Sequence, residues 1–371
     1  KDKGNTVLVV EHDPDVIKTA DHVIDIGPLA GKDGGEITFE GTYTDLLKSQ
    51  TSTGQALHRT HTLKNDIRSN NDMLEINDIS KNNLQHITTQ LPKHAMTVVT
   101  GVAGSGKSSL ITSAFEKDSH AIFIDQKPAH ASNRSNLLTY LNIFDDVRAF
   151  FSQQTGLKKS MFSYNSEGAC PECHGKGIIK TELAFMPDFS QTCEMCGGTR
   201  YRPEVLEAKV DGYSIADILS LTVQEAIEKF KNDKHLVQPL QALANTGLNY
   251  MTLGQSLDTL SGGEIQRVKL SKYLTETVHD AIFIFDEPTT GLHEDDLPIL
   301  IECFNHLIDQ GNTVILIEHN LTMMTQADWF IDIGPYAGDK GGQLLYSGEP
   351  QGLLDVEQSV TAKHLRRYIE Q

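Results

Sequence analysis

A glycine-rich stretch, GVAGSGKSSL, has the residue types and spacing that bind nucleotide phosphates. It meets the pattern GxxxxGK[ST] at every required position, between the strand-like run MTVVT and a helical run. Glycines let backbone N–H groups approach phosphate oxygens, and the start of a helix adds partial positive charge. The pattern predicts that Lys107 reaches the β- and γ-phosphates of ATP and that Ser108 binds Mg²⁺. The predicted nucleotide-binding residues of the loop are Gly101, Gly104, Ser105, Gly106, Lys107, Ser108 and Ser109.

An acidic pair, Asp286-Glu287, ends the apolar run of AIFIFDEPTTGL. A buried strand can present two carboxylates at its C-terminal tip, at the mouth of a parallel sheet. We expect Asp286 to hold Mg²⁺ through water and Glu287 to polarise the attacking water as a general base. The apolar run before the pair and the turn after it argue against two ordinary solvated loop acids.

A third element, TLSGGEIQRVKLSKYL, has the pattern of a capped helix. Ser261 is placed to cap a helix whose first turn contains Gly262 and Gly263, so that N–H groups point outward at an anion. An SGG sequence before a helix is not specific by itself. Here it occurs upstream of FDEP and together with a phosphate-binding loop. With these three elements the chain resembles the ATP-binding-cassette (ABC) ATPases, whose signature is LSGGE.

The ABC resemblance implies roles for further residues. It assigns His319 as the switch histidine that contacts the γ-phosphate, and His12 as its counterpart in an earlier module. It also suggests Gln126, after the strand-like AIFID, as the Q-loop residue, although a glutamine at a strand end is also common without that role. The predicted catalytic residues are Glu287, His319 and Lys107.

Four of the five cysteines form two CxxC pairs separated by 19 residues, which is the spacing of a structural zinc site. Four thiolates close a tetrahedral site at metal–sulfur distances of about 2.3 Å and leave no position open for catalysis. The site would fix the ends of a hairpin over residues 178–192. We expect His174 not to be a ligand, and Cys303 to lie in a core helix. The predicted zinc ligands are Cys170, Cys173, Cys193 and Cys196.

The elements that position these residues include an internal repeat. Residues 4–47 align without gaps on residues 311–354, and 20 of the 44 positions are identical. The repeated pattern predicts a buried strand at Thr6–Val10, a Glu-His pair at its end, a helix, a second strand and a Gly-rich turn. The chain therefore holds two copies of one module end.

The predicted fold class is α/β, with an ABC-type P-loop ATPase domain that contains a zinc-bearing insertion. The C-terminal end of a first ABC module precedes this domain. The predicted segments are 1–60 for the first module end, 61–72 for a polar linker, 73–128 and 245–371 for the second module, and 129–244 for the signature and zinc insertion, with the zinc module at about 165–203.

Bulk properties restrict the function classes. The net charge of the 371 residues is −18, so nucleic-acid binding would need a local basic face. No apolar run of about 18 residues occurs, which predicts no membrane span. Two CxxC pairs indicate metal binding in a reducing, cytoplasmic compartment rather than a disulfide framework.

The segment CPECHGKGIIKTELAFMPDFSQTCEMCGGTRY narrows the resemblance to the UvrA family, the DNA-damage-sensing ATPases of bacterial nucleotide excision repair. NNLQHI, IDQKP, FDDVRAFF and FDEPTTGLH agree, so the resemblance covers nearly the whole chain. It implies the cofactors ATP, Mg²⁺ and Zn²⁺, and two ABC modules in one polypeptide, of which this chain is the C-terminal portion. It also implies double-stranded damaged DNA as a partner, a UvrB-like protein bound through the N-terminal half, and a homodimer without membrane contact.

ABC ATP sites are composite, because the phosphate loop of one module faces the signature of the other. By this resemblance the chain holds one half of each of two sites, with the matching halves in sequence before Lys1. We expect nucleotide binding at Lys107 but poor hydrolysis by the chain alone, unless two copies pair head to tail.

Three positions depart from the UvrA pattern. Met161 and Ala131 replace arginines, and Glu167 stands where a basic residue is usual, so potential phosphate contacts are lost. Residues 148–202 contain seven Lys/Arg and five Asp/Glu, which makes this segment only weakly basic. For each candidate in it, an ordinary solvated charge is the alternative. The candidates for DNA contact are Lys158, Lys159, Lys176, Lys180, Arg200 and Arg202.

Three functions stay open on the sequence alone. The first is a UvrA-type ATPase whose ATP cycle gates DNA binding and damage verification, and which loads UvrB without being the nuclease. The second is a shorter UvrA-like paralogue, associated with tolerance to DNA-intercalating drugs and without UvrB docking, which the lost arginines favour. The third is the ATPase subunit of a membrane transporter, against which the zinc insertion and the tandem arrangement argue.

Overall fold

The computed structural model describes residues 4–28, 31, 34–69, 71–127, 135–181, 189–276 and 278–370. The chain forms two compact units. Unit 1 consists of Lys1–Gln126 and Glu276–Gln371, and unit 2 is the intervening segment Lys127–Thr275.

The described strands and helices are numbered here in chain order. The strands are β1 (Val23–Gly27), β2 (Glu36–Gly41), β3 (Met73–Ile79), β4 (Ile87–Pro92), β5 (Met96–Thr100), β6 (Ala121–Ile124), β7 (Ile178–Thr181), β8 (Phe189–Thr192), β9 (Ile282–Asp286), β10 (Thr313–Ile317), β11 (Trp329–Gly334) and β12 (Gln343–Gly348). The helices are α1 (Pro14–Lys18), α2 (Tyr43–Leu46), α3 (Ser52–Ala56), α4 (Lys107–Phe115), α5 (Leu137–Tyr140), α6 (Phe144–Thr155), α7 (Pro203–Glu207), α8 (Ile215–Ser220), α9 (Val223–Lys229), α10 (Lys234–Asn245), α11 (Gly262–Thr275), α12 (Leu297–Asp309), α13 (Leu321–Met324), α14 (Pro350–Leu353) and α15 (Val360–Ile369). Of the helices in the described ranges, none has both the length and the apolar character needed to cross a membrane.

Unit 1 is built around a six-stranded sheet with the strand order β12-β11-β5-β10-β9-β6. The strands from β11 to β6 are parallel, and β12 runs antiparallel to β11. The apolar runs MTVVT, TVILI and IFIFD form β5, β10 and β9, which are almost fully buried. Such continuous apolar strands are expected where both faces of a parallel sheet are covered. The loops that follow the parallel strands therefore leave from one edge of the sheet.

The predicted strand–loop–helix around the glycine-rich loop is confirmed. The strand β5 ends at Thr100, and α4 begins at Lys107. Leu110, Ile111 and Phe115 of α4 belong to the same buried core as the strand residues of the sheet. This packing fixes the start of the helix directly beyond the end of its strand.

The internal repeat is also a structural repeat. Val23 pairs with Gly41 in the first ladder and Phe330 pairs with Gly348 in the second, and the remaining pairs of the two ladders match in the same way. Each ladder has one irregularity at the equivalent place, immediately after Asp25 and immediately after Asp332. Because register and bulge recur together, the repeated sequence specifies this hairpin locally.

The prediction of a buried strand at Thr6–Val10 is wrong. The structure assigns no strand there, and Leu8 and Val10 are 87% and 96% exposed. The matching segment of the second copy, Thr313–Ile317, forms β10 between β5 and β9. A parallel strand requires neighbours of this kind to satisfy its backbone groups, and the described ranges contain no strand paired with Thr6–Val10.

The polar segment 61–72, predicted as a linker, has no helix or strand in its described part but is held within unit 1. Asp328 is fully buried and forms an ion pair with the Lys64 Nζ at 2.5 Å. The same carboxylate accepts hydrogen bonds from the backbone N–H groups of Arg68 at 3.0 Å and Met96 at 2.9 Å. A buried carboxylate needs such partners, so Asp328 holds this polar segment in place.

Unit 2 is mainly helical and has a core of its own. Ile265 and Val268 of α11 lie in this core, together with apolar residues of α5, α6 and α8–α10. The unit therefore extends to Thr275, beyond residue 244 where the predicted insertion ends. The signature helix thus belongs to the same unit as the zinc-bearing segment of the chain.

Candidate nucleotide and metal sites

The glycine-rich loop adopts a conformation that requires glycine at two positions. Gly101 has a φ of 131°, and a Cβ there would lie 1.9 Å from the carbonyl oxygen of Ile333. Gly106 has a φ of 108°, and a Cβ there would lie 2.7 Å from Leu84. Residues with a side chain rarely adopt such angles. Glycine at these positions therefore lets the loop pack directly on β11 and on Leu84.

Lys107 folds back over the loop. Its side chain is buried, and its Nζ donates hydrogen bonds to the carbonyl oxygens of Gly101 at 2.9 Å and Val102 at 3.0 Å. Burial lowers the pKa of Lys107, while the carboxylates of Glu287 and Asp286 act in the opposite direction. An ammonium group held inside a glycine-rich loop has the charge and position to meet phosphate oxygens.

Two asparagines that sequence reasoning missed hold the loop from outside. The Asn83 Nδ2 donates to the carbonyl oxygens of Gly104 at 3.2 Å and Ser105 at 3.1 Å. The Asn82 Nδ2 donates to the Ser109 Oγ at 2.9 Å. The adjacent pair Asn82-Asn83 was visible in the sequence, but nothing in it indicated a contact with the loop.

Ser108 and Asp286 bring two hard oxygen ligands side by side. Ser108 lies in the first turn of α4, Asp286 ends β9, and the Ser108 Oγ lies 3.4 Å from the Asp286 Oδ2. Burial raises the pKa of Asp286, and the nearby charge of Glu287 raises it further. Magnesium prefers carboxylate and hydroxyl oxygens together with phosphates and waters. These two side chains fit the predicted Mg²⁺ site, because an ion beside them would offset the adjacent negative charges of Asp286 and Glu287.

Glu287 and His319 face each other beyond the ends of β9 and β10. The backbone N–H of Glu287 donates to the carbonyl oxygen of Ile317 at 2.9 Å, and the Glu287 Oε1 lies 3.5 Å from the His319 Nε2. Both side chains are about half exposed, at 49% and 43%. Burial lowers the pKa of His319, and the charge of Lys107 lowers it further. A carboxylate and a neutral imidazole are therefore adjacent and accessible to a bound molecule.

Gln126 reaches the same edge of the sheet. It lies two residues beyond β6, and its Nε2 donates to the carbonyl oxygen of Glu287 at 3.3 Å. The structure thus brings together the predicted groups that lie in unit 1. These are Lys107, Ser108, Gln126, Asp286, Glu287 and His319.

The signature residues Ser261, Gly262 and Gly263 lie in unit 2, at the start of α11. The Ser261 Oγ accepts from the Glu264 N–H at 3.3 Å and the Ser261 N–H donates to the Glu264 Oε2 at 2.8 Å, so the two residues form a capping box. The Ser261 Oγ also donates to the Glu264 Oε2 at 2.9 Å. The Tyr250 hydroxyl donates to the Glu264 Oε1 at 2.6 Å. Burial opposes ionisation of Glu264, but hydrogen bonds from Tyr250 and Ser261 lower its pKa overall. Glu264 therefore fixes the orientation of the Ser261 hydroxyl.

The four cysteines of the CxxC pairs converge in unit 2. Their Sγ atoms all lie within 4.8 Å of one another, with 3.9 Å between Cys170 and Cys193 and 3.7 Å between Cys173 and Cys196. A tetrahedral site with bonds of about 2.3 Å has sulfur–sulfur edges of about 3.8 Å. All four side chains are buried. The cluster therefore has the dimensions and donor set of one tetrahedral metal site.

The surroundings of the cysteines support a metal site. The predicted hairpin is confirmed, because β7 and β8 are antiparallel and Ile178 pairs with Thr192. The backbone N–H of Gly177 donates to the Cys173 Sγ at 3.2 Å. Burial raises the pKa of Cys196 to about 12, so without an ion its thiol is protonated. A metal ion would have to displace that proton, which makes its binding dependent on pH.

Residues 84–290, more than half of the chain, match the family described as ABC transporter. The chain belongs to the ABC family. The α/β fold class predicted from the sequence is confirmed by this match and by the sheet described above.

The similarity to UvrA proteins extends along the whole ABC chain. UvrABC system protein A of Clostridium perfringens (strain 13 / Type A) is 39% identical over 404 residues, and that of Staphylococcus aureus (strain COL) is 41% identical over 405 residues. Each alignment covers all of this chain and 43% of the relative, so the chain spans less than half of their length. The crystal structure of UvrA2 from Deinococcus radiodurans matches with a TM-score of 0.91 and 39% identity, over 99% of this chain and 48% of that one. The predicted UvrA resemblance is confirmed.

The basic residues that the UvrA resemblance singled out for DNA contact have different surroundings. Lys158 and Lys176 are exposed, whereas Lys159 forms an ion pair with Asp145. The hydrogen bond from Lys159 lowers the pKa of Asp145. Arg200 is half-buried, with its guanidinium 5.2 Å from the ring centroid of Tyr164. Arg202 is half-buried as well, and the side chain of Lys180 and all of Ala131 lie outside the described residues.

Proposed function

We propose that the chain is the C-terminal ATPase portion of a UvrA-type DNA-damage recognition protein of nucleotide excision repair. The observation that carries the proposal is the four-cysteine cluster in a unit that interrupts an ABC module, in a chain 39–41% identical throughout to UvrABC system protein A. The full-length protein would hydrolyse ATP, bind damaged duplex DNA and load a UvrB-like protein, without being the nuclease. It would work in the cytoplasm as a homodimer.

In this proposal the loop residues bind the phosphates of ATP and Lys107 contacts the β- and γ-phosphates. Ser108 and Asp286 hold Mg²⁺, which when bound offsets the phosphate charge. Glu287 accepts a proton from the water that attacks the γ-phosphorus, and the products are ADP and phosphate. The distance of 3.5 Å between Glu287 and His319 supports these two roles, because His319, at the end of the adjacent strand, can then contact the same γ-phosphate.

Further residues have supporting roles in the same proposal. Gln126 links its strand end to the backbone of Glu287 and serves as the Q-loop residue. Ser261, Gly262 and Gly263 present the start of α11 to the nucleotide of a second ABC module. His12, at the equivalent place in the first copy of the repeat, is the switch histidine of that module.

The cysteine cluster would bind one Zn²⁺ with a structural role. Zinc is the common ion of four-thiolate tetrahedral sites, and such a site is closed to substrate. By holding β7 against β8, the ion would stabilise the hairpin. The basic residues around the hairpin would then be held in a fixed arrangement for contact with DNA. Lys158 and Lys176 are the best placed of these because they are exposed.

One observation favours a second candidate, a UvrA-like paralogue without UvrB docking. Met161, which replaces an arginine of the UvrA pattern, packs against the core of unit 2, and Glu167 accepts a hydrogen bond from the Ser160 Oγ at 3.0 Å. Neither side chain can contribute positive charge to a DNA phosphate. The chain is also as similar to the UvrA2 structure, at 39% identity, as to the UvrA relatives.

The test uses the full-length protein and three measurements. We expect ATP hydrolysis, tighter binding of a duplex with one bulky lesion than of the undamaged duplex, and ATP-dependent association with UvrB from the same source. ATPase activity and DNA binding without UvrB association would select the paralogue. Absence of both ATP hydrolysis and DNA binding would refute the proposed function.

A further inference from the structure

We propose that Glu318 is a positioning residue that holds Glu287 and His319, the proposed catalytic pair, in a fixed position relative to each other. The inference rests on the proposed ATPase function and deepens it. None of the sequence motifs assigned Glu318 a role, although a Glu-His pair occurs in both copies of the repeat.

Glu318 is 1% exposed and immediately follows β10. Its Oε1 accepts hydrogen bonds from the backbone N–H of Thr289 at 3.0 Å and from the Thr289 hydroxyl at 2.5 Å. Its Oε2 accepts from the backbone N–H groups of His319 at 2.6 Å and Asn320 at 2.9 Å. Each oxygen of this buried carboxylate therefore accepts two hydrogen bonds, and the two oxygens bind two separate chain segments.

These two segments carry the two members of the proposed catalytic pair. Thr289 belongs to the turn that starts at Glu287, where the Thr290 N–H donates to the carbonyl oxygen of Glu287 at 3.1 Å. His319 is the residue directly after Glu318. The carboxylate thus joins the turn of the general base to the backbone of the histidine, across 29 residues of sequence.

The chemistry of the contact makes it rigid and specific. The three N–H groups are obligatory donors, so they match an ionised carboxylate and not an amide or a hydrocarbon. Burial raises the pKa of Glu318, and the hydrogen bonds from Asn320, Thr289 and His319 oppose that rise. Beyond His319, the Asn320 Oδ1 accepts from the Met323 N–H at 2.9 Å and caps α13. The backbone of His319 is therefore held on both sides.

The first copy of the repeat shows which of these contacts depends only on the local Glu-His sequence. The Glu11 Oε2 accepts from the His12 N–H at 3.2 Å, but Glu11 and His12 are exposed. The Glu-His contact is thus local, whereas the buried carboxylate and its link to Thr289 depend on the adjacent strands β9 and β10.

The kinetic test compares Glu318→Gln, Thr289→Val and the conservative Thr289→Ser in the full-length protein. A displacement of about 1 Å between reacting groups can lower a rate about 100-fold. We expect Glu318→Gln to lower kcat by about 10-fold to 100-fold with the KM for ATP changed less than about twofold, because the phosphate loop is untouched. Thr289→Ser keeps the hydroxyl and should retain the kcat of the parent.

The double variant Glu318→Gln/Thr289→Val identifies the shared contact. If both changes break one link, the loss in kcat of the double variant will be smaller than the product of the two single losses. Multiplicative losses, or a raised KM with unchanged kcat, would overturn the positioning role. A joint change in KM and kcat would indicate a general structural defect and would likewise overturn the positioning role.

Hydrogen–deuterium exchange of the same proteins tests the link without turnover. In the parent, peptides covering 287–292 and 318–322 should be protected, and Glu318→Gln should speed exchange in both. Unchanged protection in either peptide would overturn the link. A parent with coupled protection but no ATP hydrolysis would refute the ATPase function and leave the link standing.

Discussion

The His319 Nε2 lies 3.5 Å from the Glu287 Oε1, across the ends of two adjacent parallel strands. A general base works only while it is unprotonated, and a charged imidazolium at this distance would pair with it. Burial and the charge of Lys107 keep the pKa of His319 below its ordinary value. The imidazole is therefore neutral at neutral pH, which leaves Glu287 free to act as the base in the mechanism proposed above.

Replacing Glu287 by glutamine should abolish turnover and leave ATP binding intact. The amide has nearly the same size but cannot accept the proton of the attacking water, so we expect kcat to fall by at least about 100-fold. Steady-state ATPase assays and equilibrium ATP binding on the full-length protein measure the two properties. Glu302→Gln, the same change on the exposed side of α12, is the matched control. Unchanged turnover in Glu287→Gln would exclude it as the base.

The acid side of the pH–rate profile should depend on His319. Its pKa in the folded protein lies below the ordinary 6.5, so the neutral form is present above that lowered value. As the pH falls through it, the imidazolium pairs with Glu287 and kcat drops. In His319→Gln this loss should move to lower pH, because no imidazolium can form beside Glu287. An acid limb of unchanged position in the variant would contradict the assignment.

The same shift has a consequence for stability. Between the lowered pKa of His319 and 6.5 the unfolded chain binds more protons than the folded one, so the free energy of unfolding rises with pH through that window. Urea denaturation at several pH values should show a smaller rise in His319→Gln. Because the side chain is 43% exposed, we expect a small difference.

Gly101→Ala should destabilise the protein much more than Gly104→Ala. The new Cβ at position 101 would lie 1.9 Å from the Ile333 carbonyl oxygen, which is backbone and cannot rotate away. At position 104 the nearest atom would be the Ala337 Cβ at 3.5 Å, an ordinary contact, so only the cost of a φ of 74° remains. We expect a loss of at least about 2 kcal/mol for Gly101→Ala and about 1 kcal/mol for Gly104→Ala. Equal losses in urea denaturation would contradict the close approach.

The glycine-rich loop and the second strand of the repeat were predictable because their determinants are local. The phosphate-binding pattern fixes glycine positions within one short segment, and the repeat specifies its own register. Thr6–Val10 was predicted as a strand because it has the apolar residues of β10, but a parallel strand also needs neighbours that its own sequence cannot provide.

Long-range polar contacts could not be predicted in the same way. Asp328 orders Lys64 and Arg68 across more than 250 residues, and Glu318 reaches Thr289 across 29. Single buried carboxylates leave no periodic pattern in a sequence. Their partners become visible only when the sheet brings the strand ends together.

Metal analysis of the purified protein should find one zinc per four-cysteine cluster. Cys173→Ser should lose the ion, because a tetrahedral thiolate site needs all four ligands, and should lower the midpoint of thermal unfolding. Cys303→Ala removes a cysteine buried in α12 and should keep the zinc content. A parent protein that folds without bound metal and is unaffected by chelators would refute the tetra-cysteine site.

Lys158→Ala should weaken DNA binding more than Lys159→Ala. The ammonium group of Lys159 is paired with Asp145, so its charge is already partly offset, whereas Lys158 is exposed. Each phosphate contact contributes about 0.9 to the slope of log affinity against log salt on duplex DNA. Anisotropy titrations of a labelled duplex at several salt concentrations should show a slope reduced by about 1 for Lys158→Ala and by less for Lys159→Ala.

Two further variants separate a specific contact from a change in overall charge. Lys234→Ala removes the same charge from an exposed position at the start of α10 and should leave the slope unchanged. Asp145→Asn frees Lys159 and should strengthen binding, with a steeper salt dependence, because a second ammonium group becomes available to a phosphate. Equal effects of all three lysine variants would show that only net charge matters, and would place the DNA-binding face elsewhere in the protein.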